Sequence, residues 1–266
     1  MSTKHVFDDA TGLVEKACLG VASTNPDLRF FAHHKVLYNA AHPRDKVAIL
    51  AGGGAGHEPA FSGLVGSGLV TVAVSGDVFA SPSSKQICSG VDLAPTDKGI
   101  VTIVLNYTGD CLNFGLASEK ARSAFHSEGK GRDIEMVNVG DDVSVGRSKG
   151  GLVGRRGLTG AAFTAKVLGA ASEKGDDVQK IAHLGRTMVK NFVTVGSSLD
   201  HCHVPGRSTD PKERGALSQS AVEIGMGIHN EPGAKHIENK PSGEDLIKEM
   251  LELLLLSLIH ISEPTR

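Results

Sequence analysis

A chain of 266 residues with 28 basic and 30 acidic side chains, net charge -2, has no electrostatic case for a nucleic-acid or membrane-surface role. It shows no run of membrane-spanning length and no N-terminal signal-peptide pattern. The four cysteines, Cys18, Cys88, Cys111 and Cys202, lack C-x-x-C spacing, which predicts reduced thiols of a cytosolic protein and excludes a disulfide frame or zinc site.

In chain order, Leu13, Val14, Ala17, Cys18 and Val21 share one helical face, with Asp9 or Thr11 as candidate caps and Asn25-Pro26 as the stop. The apolar run Val47 to Ala51 predicts a buried strand opening onto the glycine-rich loop Gly52-Gly53-Gly54-Ala55-Gly56-His57-Glu58-Pro59. Glycine there permits positive φ and close approach to a ligand. His57 brings a side chain that titrates near neutrality to a strand end. The loop matches neither the dinucleotide fingerprint nor a P-loop. Phe61 also stands where a zincin motif starting at His57 would need its second histidine.

Leu69 to Val74 predicts a second strand ending at Ser75-Gly76-Asp77, with a helix beginning over Ser83 to Ile87. Ile100 to Leu105 is apolar throughout, so it is expected as a strand buried on both faces. It ends at Asn106-Tyr107-Thr108-Gly109-Asp110, and a helix is expected from about Leu112 to Phe125. Ile134 to Val139 predicts a fourth strand, followed by Gly140-Asp141-Asp142. This alternation predicts an α/β fold, a mostly parallel sheet with flanking helices. A turn or cap role is the better reading for Asp77, Asp141 and Asp142. His57 and Asp110 form a candidate acid/base pair at one sheet edge.

The stretch Gly150 to Gly157 is glycine-rich, and Arg155-Arg156 suits a phosphate site, though a structural or surface role is the better reading. Helices are expected over Ala161 to Ala171 and Val178 to Phe192, and a strand from Val193. His201 and His203 would share one face of a strand, but further ligands at metal spacing are lacking, which favours a structural role. Val222 to Ile228 alternates like a strand and delivers His229, with Pro232-Gly233 turning the chain. On local pattern alone, a strand-end histidine is more often structural than nucleophilic. Glu244 to Leu255 begins an amphipathic helix, whereas residues 257–266 break its period and look like a translated sequencing adaptor, a non-native tail.

The glycine-rich loop ending in His57-Glu58-Pro59 is followed by Ser75-Gly76-Asp77-Val78-Phe79-Ala80-Ser81-Pro82 and Asn106-Tyr107-Thr108-Gly109-Asp110. Gly150-Gly151-Leu152-Val153-Gly154-Arg155-Arg156-Gly157, Leu199-Asp200-His201-Cys202-His203-Val204-Pro205-Gly206 and Gly225-Met226-Gly227-Ile228-His229-Asn230-Glu231-Pro232-Gly233 complete six motifs in one order. From about Phe7 to about Leu255 the chain resembles the dihydroxyacetone kinase family. The resemblance implies a substrate-binding unit of two α/β subdomains, about 1–190 and 191–256, the second incomplete, and a homodimer. It implies that the His229 imidazole adds to the carbonyl of dihydroxyacetone and holds it as a hemiaminal, which glycerol cannot form. Gly54, Ala55, Gly56 and His57 match the family's substrate loop. Asp110 matches its second catalytic residue, expected to act as base toward the terminal hydroxyl with His57 as its acid/base partner. Leu105 stands where some members carry a substrate-contacting lysine.

In the family, ATP and magnesium belong to a separate nucleotide-binding domain, in cis or on a partner. No metal ligand is therefore assigned within this chain, and the chain alone is expected to be inactive. Two alternatives come from other classes. One is a dihydroxyacetone-binding regulatory module without its own catalysis. The other is a metal-dependent hydrolase using His57, His201, His203 and His229.

Overall fold

In the computed structural model, residues 4–129, 131–145, 154–210, 212 and 215–262 are described. The main sheet is built from β1 (Leu28–Phe31), β2 (Val36–Asn39), β3 (Ala48–Ala55), β4 (Val72–Val78), β5 (Ile100–Leu105) and β6 (Ile134–Val139). Their spatial order is β1-β2-β4-β3-β5-β6. Strands β4, β3, β5 and β6 run parallel, while β1 and β2 form an antiparallel hairpin on β4. All six residues of β5 are buried, as a central parallel strand requires.

Alternate residues of these strands feed two cores. On one face, Ile49, Ala51, Ile103 and Val137 pack against Ala165 and Leu168 of α4 (Gly160–Glu173) and Ile181 of α5 (Val178–Met188). On the other, Leu50, Val74 and Val104 meet Ile87 of α2 (Ser84–Leu93) and Phe114 and Ala117 of α3 (Thr108–Glu128). Helix α1 (Leu13–Ser23) covers the end of β3, where Val14 and Cys18 contact Ala55. The start of α2 is fixed reciprocally: the Ser83 hydroxyl accepts from Gln86 N, and the Gln86 side chain accepts from Ser83 N.

Several sequence expectations shift. The glycine-rich stretch is strand, not loop: β3 continues through Gly52, Gly53 and Gly54 to Ala55. Glycine is needed there because the sheet is tight. A Cβ on Gly52 would run into the Val74 carbonyl oxygen, and one on Gly54 would lie 2.8 Å from Ala80 N. Only Gly56 of the four has positive φ, at 101°. The hairpin β1–β2 has no sequence counterpart above, since Lys35 in the left-handed region (φ 53°) closes it without a glycine. Neither Asp9 nor Thr11 caps α1. Gly12 is the N-cap, and Asp9 accepts from Thr11 N instead. Helix α3 starts at Thr108, so Asp110 sits in a first helical turn.

A second, small antiparallel sheet follows, in the order β7 (Ser197–Ser198), β8 (Val222–Ile224), β9 (Lys235–Ile237). The strand expected from Val193 is thus confined to Ser197–Ser198, and His201 and His203 lie in irregular chain. The strand expected over Val222 to Ile228 stops at Ile224, because Gly225 adopts φ 81°. A last helix, α6 (Gly243–Ser262), continues past Leu256, the end expected for native sequence.

Two fully buried aspartates after β6 join the sheets. Asp141 accepts from Leu158 N, from Gly160 N at the head of α4, and from the Thr194 hydroxyl, at 2.7 to 2.8 Å. Asp142 is ion-paired with Arg156 at 2.8 Å, and Arg156 also donates to Gly225 O at 2.7 Å. Cap and turn roles for these aspartates therefore hold, and Arg156 is structural. Residues 150–153 of the glycine-rich segment before it lie outside the described residues.

Candidate active site

Strand β3 delivers His57 through the positive-φ turn at Gly56. The imidazole stacks on Phe79, with ring centroids 5.1 Å apart and planes at 16°. Phe79 is itself held at φ 57°, a conformation rare for an aromatic residue. A Cβ on Gly56 would come within 2.7 Å of the Phe79 ring, so this glycine serves both backbone and packing. The Gly56 N–H donates to the Glu58 carboxylate, 3.1 Å away.

His229 arrives from the opposite side, in a tight turn closed by Gly227 N donating to Glu231 O at 2.9 Å. Asn230, at φ 64°, locks that turn to the neighbouring loop. Its side chain accepts from Cys202 N and donates to Cys202 O. The Glu231 carboxylate folds back on the histidine, meeting the His229 backbone N–H and ring Nδ1, each at 2.9 Å. The other ring nitrogen, Nε2, lies 3.1 Å from His57 Nε2. Tyr107 packs edge-on to the His229 ring at 4.9 Å.

Asp110 completes the group. It is 5% exposed, and a Cβ on Gly53 would sit 3.9 Å from both its carboxylate oxygens. One small recess is lined by Gly53, Gly54, His57, Leu105, Asp110 and His229. It opens beside a mainly apolar cleft of about 500 Å³ that runs between the two sheets. Leu105 supplies a hydrocarbon wall to both spaces. The Ala55 methyl faces α1.

The electrostatics divide the labour. Burial, helped by the neighbouring His229, lowers the His57 ring to a pKa of about 4, so it is neutral at physiological pH. Burial raises Asp110 above the usual carboxylate range, against the opposing Ser81 hydrogen bond and the His229 ring. Burial also works against ionisation of Glu231, but its hydrogen bonds from the His229 side chain and backbone win and hold it at about 2. A neutral imidazole, a carboxyl with its pKa raised by burial and a firm carboxylate thus share one site.

The structure brings His57, Asp110 and His229 together and leaves His203 elsewhere, hydrogen-bonded to His5 at 2.7 Å. Among the described residues, no three or more His, Cys, Asp or Glu side chains converge as a metal site would require. Sequence reasoning missed Glu231, Tyr107 and Phe79. The signal for Glu231 was its place two residues after His229 in a glycine-bounded turn.

The parallel sheet thus presents His57 and Asp110 at its strand ends, where α/β sheets place their ligand crevices, and the turn of the small sheet sets His229 against them. The chain belongs to the Dak1 domain family, whose profile matches residues 19–263. The dihydroxyacetone kinase of Pichia angusta is 43% identical over 265 residues, covering 96% of this chain and 42% of its own length. The dihydroxyacetone kinase of C. freundii, also solved with AMP-PNP and Mg2+, superposes with a TM-score of 0.85 at 33% identity, over 97% of this chain and 46% of that one. A dihydroxyacetone kinase operon co-activator, Dha-DhaQ, gives 0.82 at 29% identity, over 94% of this chain and 73% of its own. The chain spans about two fifths of the length of the curated relatives it matches.

Proposed function

We propose that this chain is the substrate-binding part of a dihydroxyacetone (glycerone) kinase, and that it holds dihydroxyacetone as a hemiaminal on His229. The observation that carries this reading is the recess in which His229 and His57 present Nε2 atoms 3.1 Å apart beside the buried Asp110. On this reading His229 Nε2, held against a second ring nitrogen in a space walled by Leu105, attacks the carbonyl carbon. The attached sugar then offers a terminal hydroxyl to Asp110, whose carboxylate form takes the proton as phosphoryl transfer proceeds. Transfer of this kind depends on positioning and charge neutralisation, which a covalently held acceptor favours.

The same reading makes the intact protein a cytosolic homodimer supplied with ATP and magnesium by a nucleotide-binding domain, in cis or in trans. Among the described residues no three or more His, Cys, Asp or Glu side chains cluster, and on this reading magnesium is held by the nucleotide-binding domain. The regulatory alternative is supported by the co-activator, but at lower identity than the kinases.

The test is native mass spectrometry of the protein with dihydroxyacetone. One adduct is expected at His229 and none with glycerol. His229→Ala should abolish it, and Asp110→Asn should retain it. An adduct that persists in folded His229→Ala would refute the assignment.

A further inference from the structure

We propose that Glu231 is a positioning residue that fixes the tautomer of His229 and thereby makes Nε2 the attacking atom. The inference deepens the hemiaminal reading above and rests on it for its chemical purpose.

The balance of donors and acceptors around the ring fixes the tautomer. Two groups of His229 face Glu231, the backbone N–H and ring Nδ1, one to each carboxylate oxygen. An ionised carboxylate only accepts, so Nδ1 must carry the ring proton. A neutral imidazole holds one such proton, which leaves Nε2 with its lone pair in the recess. The 3.1 Å contact between the two Nε2 atoms then has a single consistent polarity: His57 Nε2–H donates to His229 Nε2. The Glu231 carboxylate, ionised above a pH of about 2, keeps this order through the physiological range.

The order suits addition to a ketone. His57 releases its hydrogen bond as the carbonyl enters, and the Nε2–C bond forms while the C=O π pair moves onto oxygen. That oxygen takes the proton from His57 Nε2, and His57 regains one at Nδ1 from water, so the step consumes one solvent proton. The positive charge left on the alkylated His229 ring stays at Nδ1–H, against Glu231. Collapse of the adduct reverses each transfer.

Glu231→Gln separates this role from simple bracing of the turn. Glutamine has one acceptor oxygen where glutamate has two. If the backbone N–H keeps that oxygen, the amide NH2 faces Nδ1 and forces the ring proton onto Nε2. The lone pair is then lost from the recess while the turn remains closed.

The experiment is long-range 15N–1H NMR of histidine-labelled protein, with the His229 ring identified by its loss in His229→Ala, run alongside adduct kinetics. The wild type should show the Nδ1–H tautomer at His229. Glu231→Gln should show Nε2–H, with adduct formation slowed on the order of 100-fold or more and an unchanged backbone spectrum. An Nε2–H ring in the wild type would overturn the inference without any variant. So would Glu231→Gln protein that keeps both Nδ1–H and the wild-type adduct rate. A wild type with Nδ1–H but no adduct would instead overturn the proposed function and leave the tautomer assignment standing.

Discussion

His57 and His229 lie 172 residues apart in the chain, yet their Nε2 atoms are separated by 3.1 Å. One ring is presented by the parallel sheet and the other by the turn between β8 and β9 of the small antiparallel sheet. Only one proton fits between them, and protonation of His57 is disfavoured by burial and by the neighbouring His229 ring.

A pH dependence follows for stability. In the unfolded chain His57 takes up its proton near pH 6.5, whereas in the folded protein it resists down to about 4. The unfolded state therefore binds more protons between these values, and stability falls as pH drops through that window, by up to about 3 kcal/mol. His57→Asn should flatten this part of the profile. Thermal melts of both proteins at pH 7 and pH 4.5 test it, and an equal loss in the variant would contradict the burial assignment.

Asp110 carries the opposite sign. Its folded-state pKa is raised by burial, so the ionised form is a burden at neutral pH that eases as pH falls through that raised value. Asp110→Asn is expected to melt higher than wild type at pH 7, with the advantage shrinking in acid. It should also form the His229 adduct while failing to support phosphoryl transfer to the bound sugar when a nucleotide domain is supplied. A lower melting temperature at pH 7 would count against a destabilising carboxylate.

Close packing at β3 gives a third expectation. Gly52→Ala places a methyl against the Val74 carbonyl oxygen and should cost about 1–3 kcal/mol. Gly66→Ala, where nothing lies within 4 Å of the added carbon, should leave stability nearly unchanged. Urea denaturation of the two variants makes the comparison. Equal effects would show that strand propensity, not contact, governs the site.

The Asp142–Arg156 pair gives a fourth. Asp142 is 0% exposed and Arg156 spans from it to Gly225 O. Arg156→Leu strands a buried carboxylate and should cost about 3–5 kcal/mol. Adding Asp142→Leu should recover part of that loss, because the charge goes with its partner. Denaturation of the single and double variants decides the matter, and strict additivity would exclude coupling.

The parts of this fold that show in the sequence are those fixed by local pattern. Strands β5 and β6 have the predicted bounds because each is a short apolar or alternating run bounded by glycine or polar residues. The parts that do not show depend on distant partners. Leu28–Phe31 and Val36–Asn39 are strands chiefly because β4 offers an edge to pair with, and their turn lacks an Asn-Gly or Asp-Gly signal. The glycines of β3 carry a turn signature, but their cause is the nearness of β4 and of the segment after it. At the site, His57, Asp110 and His229 stand out through their motifs. The tie from Glu231 to His229 becomes visible only once the turn closes, and the pairing of Asp142 with Arg156 only once both loops meet.

The recess is shared between two sheets, and this sets its thermodynamic character. Neither sheet holds the site by itself. The large one contributes His57 and Asp110, the small one His229, and Asp141, Asp142 and Arg156 rivet them together. Any ligand that touches both histidines therefore binds the docked arrangement and not the undocked one, and mass action makes it a clamp. Amide exchange in residues 222–231 should slow with ligand concentration even where no amide meets the ligand. Loosening of the small sheet, in turn, would empty the site while the parallel core stayed folded.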